Sequence, residues 1–206
     1  MHAQFQRAAF LTAASDLRAA PPDEGFEVAF AGRSNAGKSS AINAICHQHR
    51  LARTSKTPGR TQQLIFFRLD DERRLVDLPG YGFARVSLAI KANWQALMGR
   101  YLQQRGCLRG LVVVMDIRHP LTEFDRQMLD WGIAATLPML LLLTKADKLK
   151  HGAQRQTLAQ VRRAVGEIAG QSHVPIQVDL FSATSRLGLD EVQGHLADWL
   201  ALPVAA

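Results

Sequence analysis

A glycine-rich loop between a predicted strand and a predicted helix constrains this sequence more than any other stretch. Residues 32–40 read GRSNAGKSS, in which two glycines five positions apart are followed directly by Lys38 and Ser39. Glycines let the backbone curl until successive N–H groups point inward at a phosphate, and the lysine brings a positive charge to it. Residues 27–31, EVAFA, precede the loop as a short strand, and residues 39–46 follow it as a helix. This context predicts a phosphate-binding loop.

Apolar strands alternate with helical stretches along the rest of the chain. We predict strands at 63–69, 73–77, 108–116, 139–143 and 174–181, and helices at 87–104, 122–135, 154–168 and 188–200. Helices on both faces of apolar strands indicate a mostly parallel, doubly wound sheet, and the hairpin 63–77 adds one antiparallel strand. The predicted fold is therefore α/β with three layers. Ligands of such sheets bind beyond the carboxyl ends of the strands, where every motif discussed below lies.

Composition favours one soluble domain. A chain of 206 residues with 47% hydrophobic content can bury a single substantial core, and its longest apolar run, 137–143, is far too short to span a bilayer. Residues 1–24 are predicted to be an extension that packs on the domain 25–206, and the alanine-rich stretch 1–20 should cover one edge of the sheet. Two cysteines without metal or redox spacing are typical of a reducing cytoplasm. We therefore expect a cytoplasmic protein without membrane insertion.

The positive charge is unevenly distributed. Twelve Lys and Arg residues and four Asp and Glu residues lie between Arg50 and Arg109. The rest of the chain carries thirteen Lys and Arg residues and fourteen Asp and Glu residues. The whole excess of the net charge of +7 thus lies in the middle third. Such a concentration favours a surface that faces a polyanion, and RNA is the preferred candidate.

Three short motifs follow predicted strands. In DLPG, residues 77–80, the Asp can hold Mg²⁺ through water and the Gly N–H can sense a γ-phosphate. In TKAD, residues 144–147, Asp147 can accept hydrogen bonds from the N1–H and the 2-amino group of guanine, which adenine lacks, while the Lys145 stem covers one face of the base. In FSA, residues 181–183, a small residue lets a backbone N–H approach the guanine O6. Alone, DLPG would more often be an ordinary turn, TKAD would be a solvated polar loop, and FSA would carry almost no information. Their order after a phosphate loop makes them informative.

The particular residues of these motifs resemble those of one family. GRSNAGKSS, TPGRTQ, DLPGYGFA, TKADKL and FSA resemble the EngB (YihA/YsxC) family of bacterial ribosome-assembly GTPases, within the TrmE-Era-EngA-EngB-Septin-like superfamily, over residues about 5 to 200. The resemblance implies a Ras-like P-loop GTPase fold and a GTP-hydrolysing switch in large-subunit ribosome maturation that is also required for normal septation. Its implied ligands are GTP, GDP and Mg²⁺. Its implied partner is the 50S subunit or its precursor, through rRNA and ribosomal proteins. We expect a monomer, since the fold needs no partner to complete its core.

The resemblance also implies the site residues. The nucleotide would be bound by Gly32, Arg33, Ser34, Asn35, Ala36, Gly37, Lys38, Ser39, Gly59, Arg60, Thr61, Gln62, Gln63, Asp77, Leu78, Pro79, Gly80, Thr144, Lys145, Ala146, Asp147, Phe181, Ser182 and Ala183. Lys38, Thr61, Gly80 and Asn35 would act in catalysis, and Ser39 and Thr61 would bind Mg²⁺. Thr57 competes with Thr61 for the metal, but Thr61 in GRTQ lies where the family places its ligand.

Two departures from the wider GTPase pattern affect the expected activity. Thr144 replaces the usual Asn, which predicts modest nucleotide affinity. Tyr81 follows DLPG where Ras-type proteins carry the Gln that orients water, which predicts slow intrinsic turnover. Asn35 either helps to bind an activating K⁺, as in related GTPases, or only shapes the loop. The alternative to a GTPase switch is an RNA- or ribosome-binding module in which hydrolysis is dispensable.

Overall fold

A mixed sheet forms the centre of the part of the chain that the computed structural model describes, residues 3–53, 63–80, 88–170 and 172–203. Its strands are β1 (Ala9–Ala14), β2 (Phe26–Gly32), β3 (Leu64–Arg68), β4 (Arg73–Asp77), β5 (Leu108–Asp116), β6 (Met139–Thr144) and β7 (Ile176–Leu180). They are arranged in the order β1-β3-β4-β2-β5-β6-β7. β3 runs antiparallel to β1 and β4, and the other neighbouring strands are parallel. The predicted fold class is confirmed.

Helices cover both faces of this sheet. The described helices are α1 (Lys38–Ile45), α2 (Leu88–Gln104), α3 (Glu123–Ala134), α4 (His151–Ala169) and α5 (Leu189–Trp199). The apolar cluster on one face joins the sheet to α2, α3 and α4, and the cluster on the other face joins it to α1 and α5. None of these described helices is both long enough and apolar enough to cross a membrane.

Strand β5 illustrates why the central strands are continuously apolar. Val112 and Val114 belong to the cluster with α1 and α5, whereas Val113 and Met115 belong to the cluster with α2, α3 and α4. All four are buried, because successive side chains of a strand point to opposite faces and both faces are covered here. Because β2, β4, β5, β6 and β7 run parallel, their carboxyl ends lie at one edge of the sheet, and the motifs begin at that edge.

The structure differs from the predicted elements mainly at the N-terminus. The alanine-rich segment does lie at a sheet edge, but Ala9–Ala14 forms the outermost strand itself, paired with β3. Three of its six residues are alanine, which has a low strand propensity, so its local signal is weak and its pairing with β3 supports it. Helix α4 begins three residues before the predicted Gln154, and β7 begins at Ile176, after Pro175, which has no N–H to donate. The division of the chain after residue 24 stays a prediction.

Candidate nucleotide site

The glycine-rich loop connects the end of β2 to the start of α1. Asn35 and Gly37 adopt positive φ angles of 64° and 99°, a region that glycine tolerates without strain. A Cβ atom added to Gly37 would lie 3.5 Å from Thr144 Oγ1 and 3.8 Å from Lys145 Cε. The loop therefore packs directly against the TKAD motif at the end of β6. The N-terminus of α1, which begins at Lys38, favours an anion at this position.

Lys38 joins the loop to the DLPG motif. Its Nζ contacts the carboxylate of Asp77 and donates a hydrogen bond of 2.7 Å to the carbonyl oxygen of Leu78. Both charged side chains are largely buried. A Cβ atom added to Gly80 would lie 3.8 Å from the backbone nitrogen of Ser34, so the DLPG segment also approaches the loop through its glycine. The charge of Lys38 and the end of β4 thus meet where a bound phosphate would be expected.

The residues present fit a hydrated Mg²⁺ rather than a closed protein cage. The Ser39 hydroxyl donates to the carbonyl oxygen of Arg53 at 3.4 Å, and Ser39 and Asp77 line the same cleft. Among the described residues, no group of three or more His, Cys, Asp and Glu side chains is placed to hold a metal ion. Mg²⁺ commonly binds through one or two protein oxygens, several waters and substrate phosphates, which agrees with this donor set.

Thr144 ties β6 to the phosphate loop. Its buried hydroxyl lies within hydrogen-bonding distance of the carbonyl oxygen of Ala36 and 2.9 Å from that of Met115. In the same motif, Lys145 Nζ donates to the carbonyl oxygen of Asn35 at 2.7 Å. Two consecutive residues of TKAD thus contact two consecutive residues of the loop. The motif predicted to hold a base and the motif predicted to hold phosphates are thus joined by hydrogen bonds.

Asp147 and Ser182 join the ends of β6 and β7. The Ser182 hydroxyl donates to Asp147 Oδ1 at 2.6 Å, and Lys148 Nζ lies 3.2 Å from Asp147 Oδ2. These contacts, the Ser182 hydrogen bond first, hold the pKa of Asp147 below its usual value. The carboxylate is therefore ionised at neutral pH and remains a hydrogen-bond acceptor. The loops are also tied through the backbone, because the Ala146 N–H donates to the carbonyl oxygen of Phe181 at 3.1 Å.

One cleft runs along the phosphate loop and the DLPG segment and reaches TKAD at Lys145. It is lined by the phosphate loop, the DLPG segment, Gln63 and Lys145, together with residues 8–10 of the N-terminal segment. Exposed arginines at its rim are Arg33, Arg50 and Arg53. The cleft is therefore positively charged along the phosphate loop and the segment that follows α1.

The structure brings the described motif residues together, and their functional roles stay predictions. Gly59, Arg60, Thr61, Gln62 and Tyr81 lie outside the described residues, and so does Thr57.

Two residues in contact with the motifs were not singled out from the sequence. Trp94 Nε1 donates to the carbonyl oxygen of Pro79 at 3.2 Å, and the carboxylate of Asp116 accepts a hydrogen bond of 2.9 Å from Lys145 Nζ. Asp116 ends a strand at the same edge of the sheet as the motifs, and this position was the one available signal.

Sequence comparisons identify a family. Residues 27–145 match the family model described as 50S ribosome-binding GTPase. The chain is 51% identical over 201 residues to a probable GTP-binding protein EngB of Vibrio parahaemolyticus serotype O3:K6 (strain RIMD 2210633), covering 98% of this chain and 90% of that relative. It is 54% identical over 197 residues to a probable GTP-binding protein EngB of Stenotrophomonas maltophilia (strain K279a), covering 96% and 97% of the two chains.

Solved structures share the fold. The crystal structure of a probable GTP-binding protein EngB superposes with a TM-score of 0.67 at 18% identity, covering 86% of this chain and all of that one. Era in complex with MgGDPNP and nucleotides 1506–1542 of 16S ribosomal RNA gives a TM-score of 0.60 at 18% identity, covering 89% of this chain and 58% of Era. At these identities the likeness concerns the fold alone.

Proposed function

Because the chain belongs to the EngB family of GTP-binding proteins, we propose that it binds GTP, hydrolyses it to GDP and acts as a switch in assembly of the large ribosomal subunit. The observation that supports this most strongly is the convergence of three contacts at one edge of the sheet. They are Lys38 with Asp77, Lys145 with the Asn35 carbonyl, and Asp147 with Ser182. Together they join the loop expected to hold phosphates to the carboxylate expected to hold the base.

Guanine selectivity would come from Asp147. An ionised carboxylate accepts two hydrogen bonds from N1–H and the 2-amino group of guanine, and adenine would leave it unpaired at a cost of about 1–3 kcal/mol or more. The lowered pKa of Asp147 supports this role, because a protonated acid would lose acceptor capacity. Competition of GTP and ATP against a fluorescent GDP analogue tests the proposal. Equal competition by both nucleotides would contradict it.

The phosphates would be bound by the loop N–H groups, the start of α1 and Lys38. Mg²⁺, held by Ser39 and by Thr61 as the family pattern implies, would supply positive charge to the phosphate oxygens. Hydrolysis is proposed to be slow without a stimulating factor, because Tyr81 replaces the water-orienting Gln. K⁺ bound with the help of Asn35 is one proposed stimulus. The same turnover in K⁺ and in Na⁺ buffers would exclude it.

Nucleotide state could reach the surface through α2. Gly80 lies close to the phosphate loop, and the carbonyl oxygen of the preceding Pro79 accepts the Trp94 indole N–H from α2. If the Gly80 N–H binds the γ-phosphate, it would therefore shift a segment that is already hydrogen-bonded to that helix. This contact supports a switch in which nucleotide and helix position are coupled.

The partner is proposed to be rRNA in the 50S subunit or its precursor. The excess positive charge lies within residues 50–109, which include the segments next to the cleft, and Arg50, Arg53, Arg68 and Arg100 are exposed. Binding that depends on such charges should fall steeply as salt rises. The family description, 50S ribosome-binding GTPase, supports the same partner.

The deciding experiment measures GTP turnover with and without 50S subunits, in K⁺ and in Na⁺, and 50S binding with GDP and with a non-hydrolysable GTP analogue. The switch proposal expects stimulation by the subunits and tighter binding of the analogue form. Equal binding in both nucleotide states would contradict it.

Cells that grow and divide normally with Lys38→Ala in place of the wild-type chain would instead favour an RNA-binding module that does not need hydrolysis. We also propose that the protein is a cytoplasmic monomer and that it is required for normal septation.

A further inference from the structure

A carboxylate outside the sequence motifs holds the lysine of TKAD. Asp116 is the last residue of β5 and lies in register with Thr144 of β6. Its Oδ2 atom accepts a hydrogen bond of 2.9 Å from Lys145 Nζ. Its other partner is Arg118, which donates through Nε at 2.9 Å, through Nη2 at 2.6 Å and through its backbone N–H at 3.1 Å. The carboxylate therefore lies between an inner lysine and an outer arginine.

Lys145 has a left-handed backbone conformation and an ammonium group held by two acceptors. Its backbone adopts φ 57° and ψ 32°, and its ammonium group has two acceptors, Asp116 Oδ2 and the carbonyl oxygen of Asn35 at 2.7 Å. A free lysine side chain has about 2 kcal/mol of rotamer entropy, so two acceptors are needed to keep its stem in one position. The carbonyl supplies direction, and the carboxylate supplies the charge that makes the hydrogen bond strong.

We propose that Asp116 is a positioning residue of the nucleotide site, which holds Lys145 so that its stem covers one face of the guanine base. This inference rests on the proposed GTP binding. Asp116 acts through Lys145 and does not touch the nucleotide. Its effect should therefore be on nucleotide affinity and on the dissociation rate, and not on the chemical step.

The charges around Asp116 favour this role. Its two cation partners, Arg118 first, hold the pKa of Asp116 well below the usual range, so the group is a full anion at neutral pH. The side chain is only 15% exposed, whereas that of Arg118 is 45% exposed. The inner contact with Lys145 is thus the better shielded of the two, and exposed ion pairs contribute little.

The test measures binding of a fluorescent GDP analogue by stopped flow. Asp116→Asn keeps the size of the side chain and removes its charge, and it should raise the dissociation constant about tenfold, mainly through faster dissociation. The turnover number at saturating GTP should change less than about twofold, because the phosphates are bound elsewhere. The matched control is Arg118→Ala, which removes the outer cation and leaves the Lys145 contact. It should change affinity less than about twofold.

A double-mutant cycle separates positioning from general destabilisation. In a Lys145→Met background, Asp116→Asn should have almost no further effect on affinity, since its partner is gone. Asp116→Asn should also weaken GDP and IDP by the same factor, because a lysine stem does not read the 2-amino group that IDP lacks. An equal loss of affinity in both Lys145 backgrounds would overturn the inference, and so would wild-type affinity in Asp116→Asn. Failure of the wild-type chain to bind any guanine nucleotide would overturn the proposed function itself.

Discussion

The Ser182 hydroxyl donates a hydrogen bond of 2.6 Å to Asp147 Oδ1, across the gap between the last two strands of the sheet. The same hydroxyl oxygen accepts the backbone N–H of Ser185 at 3.1 Å, so Ser182 is itself held in place. The carboxylate that is proposed to select guanine is thus oriented by a buried side chain from a different loop. We therefore expect FSA to act through this hydroxyl as well as through the predicted backbone N–H.

Ser182→Ala should weaken guanine nucleotide binding. The substitution removes the main restraint on Asp147, and we expect a dissociation constant for GDP about tenfold higher, which corresponds to about 1.4 kcal/mol. Fluorescence titration with a GDP analogue measures it. Ser185→Ala in the same loop is the control, because its backbone N–H is retained, and its affinity should match that of the wild type. Equal affinities for the two variants would show that Ser182 does not orient the carboxylate.

Thr144→Val should loosen the contact between TKAD and the phosphate loop. The valine has the shape of threonine but lacks the one O–H that can donate to the carbonyl oxygen of Ala36 or to that of Met115. We expect about tenfold weaker nucleotide binding and about 1 kcal/mol lower free energy of unfolding. Thr144→Ser retains the hydroxyl and should lose much less affinity. Calorimetric titration with GDP and urea unfolding measure the two quantities, and a serine variant as weak as the valine variant would contradict the role of the hydroxyl.

The sequence predicts most of the fold because its central strands are apolar and sharply bounded. β4 and β5 have the predicted bounds, 73–77 and 108–116, and each ends at an aspartate that follows apolar residues, 75–76 in β4 and 111–115 in β5. The strand at Ala9–Ala14 was not predicted, because the three alanines among its six residues weaken the local strand signal and its pairing with β3 is not visible in the sequence. Local patterns specify an element only where its own residues favour it.

The site shows the same limit. Its motifs can be recognised because each one is contiguous, and the carboxyl ends of parallel strands meet at one edge. The role of Asp116 is not visible in the sequence, because its partner Lys145 lies 29 positions away along the chain. The two residues meet only through the register of β5 with β6. Contacts that depend on strand register are not visible in a linear pattern.

Both cysteines should be unreactive in the folded protein. Cys46 and Cys107 are buried, and burial is the main factor that raises the pKa of each thiol to about 12. Since the thiolate is the reactive species, a disulfide reagent at mildly alkaline pH should modify them far more slowly in native protein than in guanidinium. A Ser15→Cys variant supplies an exposed thiol for reference. Native cysteines that react as fast as this reference would contradict their burial.

The same thiols predict loss of stability in strong alkali. The folded-state pKa of each thiol lies above its usual value of 9.0, so between about pH 9 and about 12 the folded protein retains protons that the unfolded chain has lost. The free energy of unfolding should therefore fall as pH rises through this window. Urea unfolding at increasing pH measures it. In a Cys46→Ala variant the decline should be smaller than in the wild type, and an identical decline would exclude a contribution from Cys46.

The stability of the edge opposite the site should depend on one buried carboxylate. Glu27, at the start of β2, is fully buried and accepts hydrogen bonds from Arg74, Arg105 and Tyr101. Arg74 lies in β4, Tyr101 lies in α2, and Arg105 lies in the connection from α2 to β5. The carboxylate therefore joins these elements at the edge of the sheet opposite the motifs. Glu27→Gln would leave the buried Arg74 without its carboxylate partner and Arg105 with only a contact of 3.8 Å to the carboxylate of Asp23, and we expect about 3–5 kcal/mol lower free energy of unfolding by urea.

An exposed glutamate supplies the matched control for this substitution. Glu167 pairs with Arg163 on the surface of α4 at 3.1 Å, and Glu167→Gln should cost less than about 1 kcal/mol. The comparison separates burial from the loss of a negative charge as such, because both variants remove one carboxylate. A Glu27→Met variant that packs well could recover part of the loss only if Arg74 and Arg105 were also replaced by apolar residues. Equal stabilities of Glu27→Gln and Glu167→Gln would show that the buried cluster does not hold these elements together.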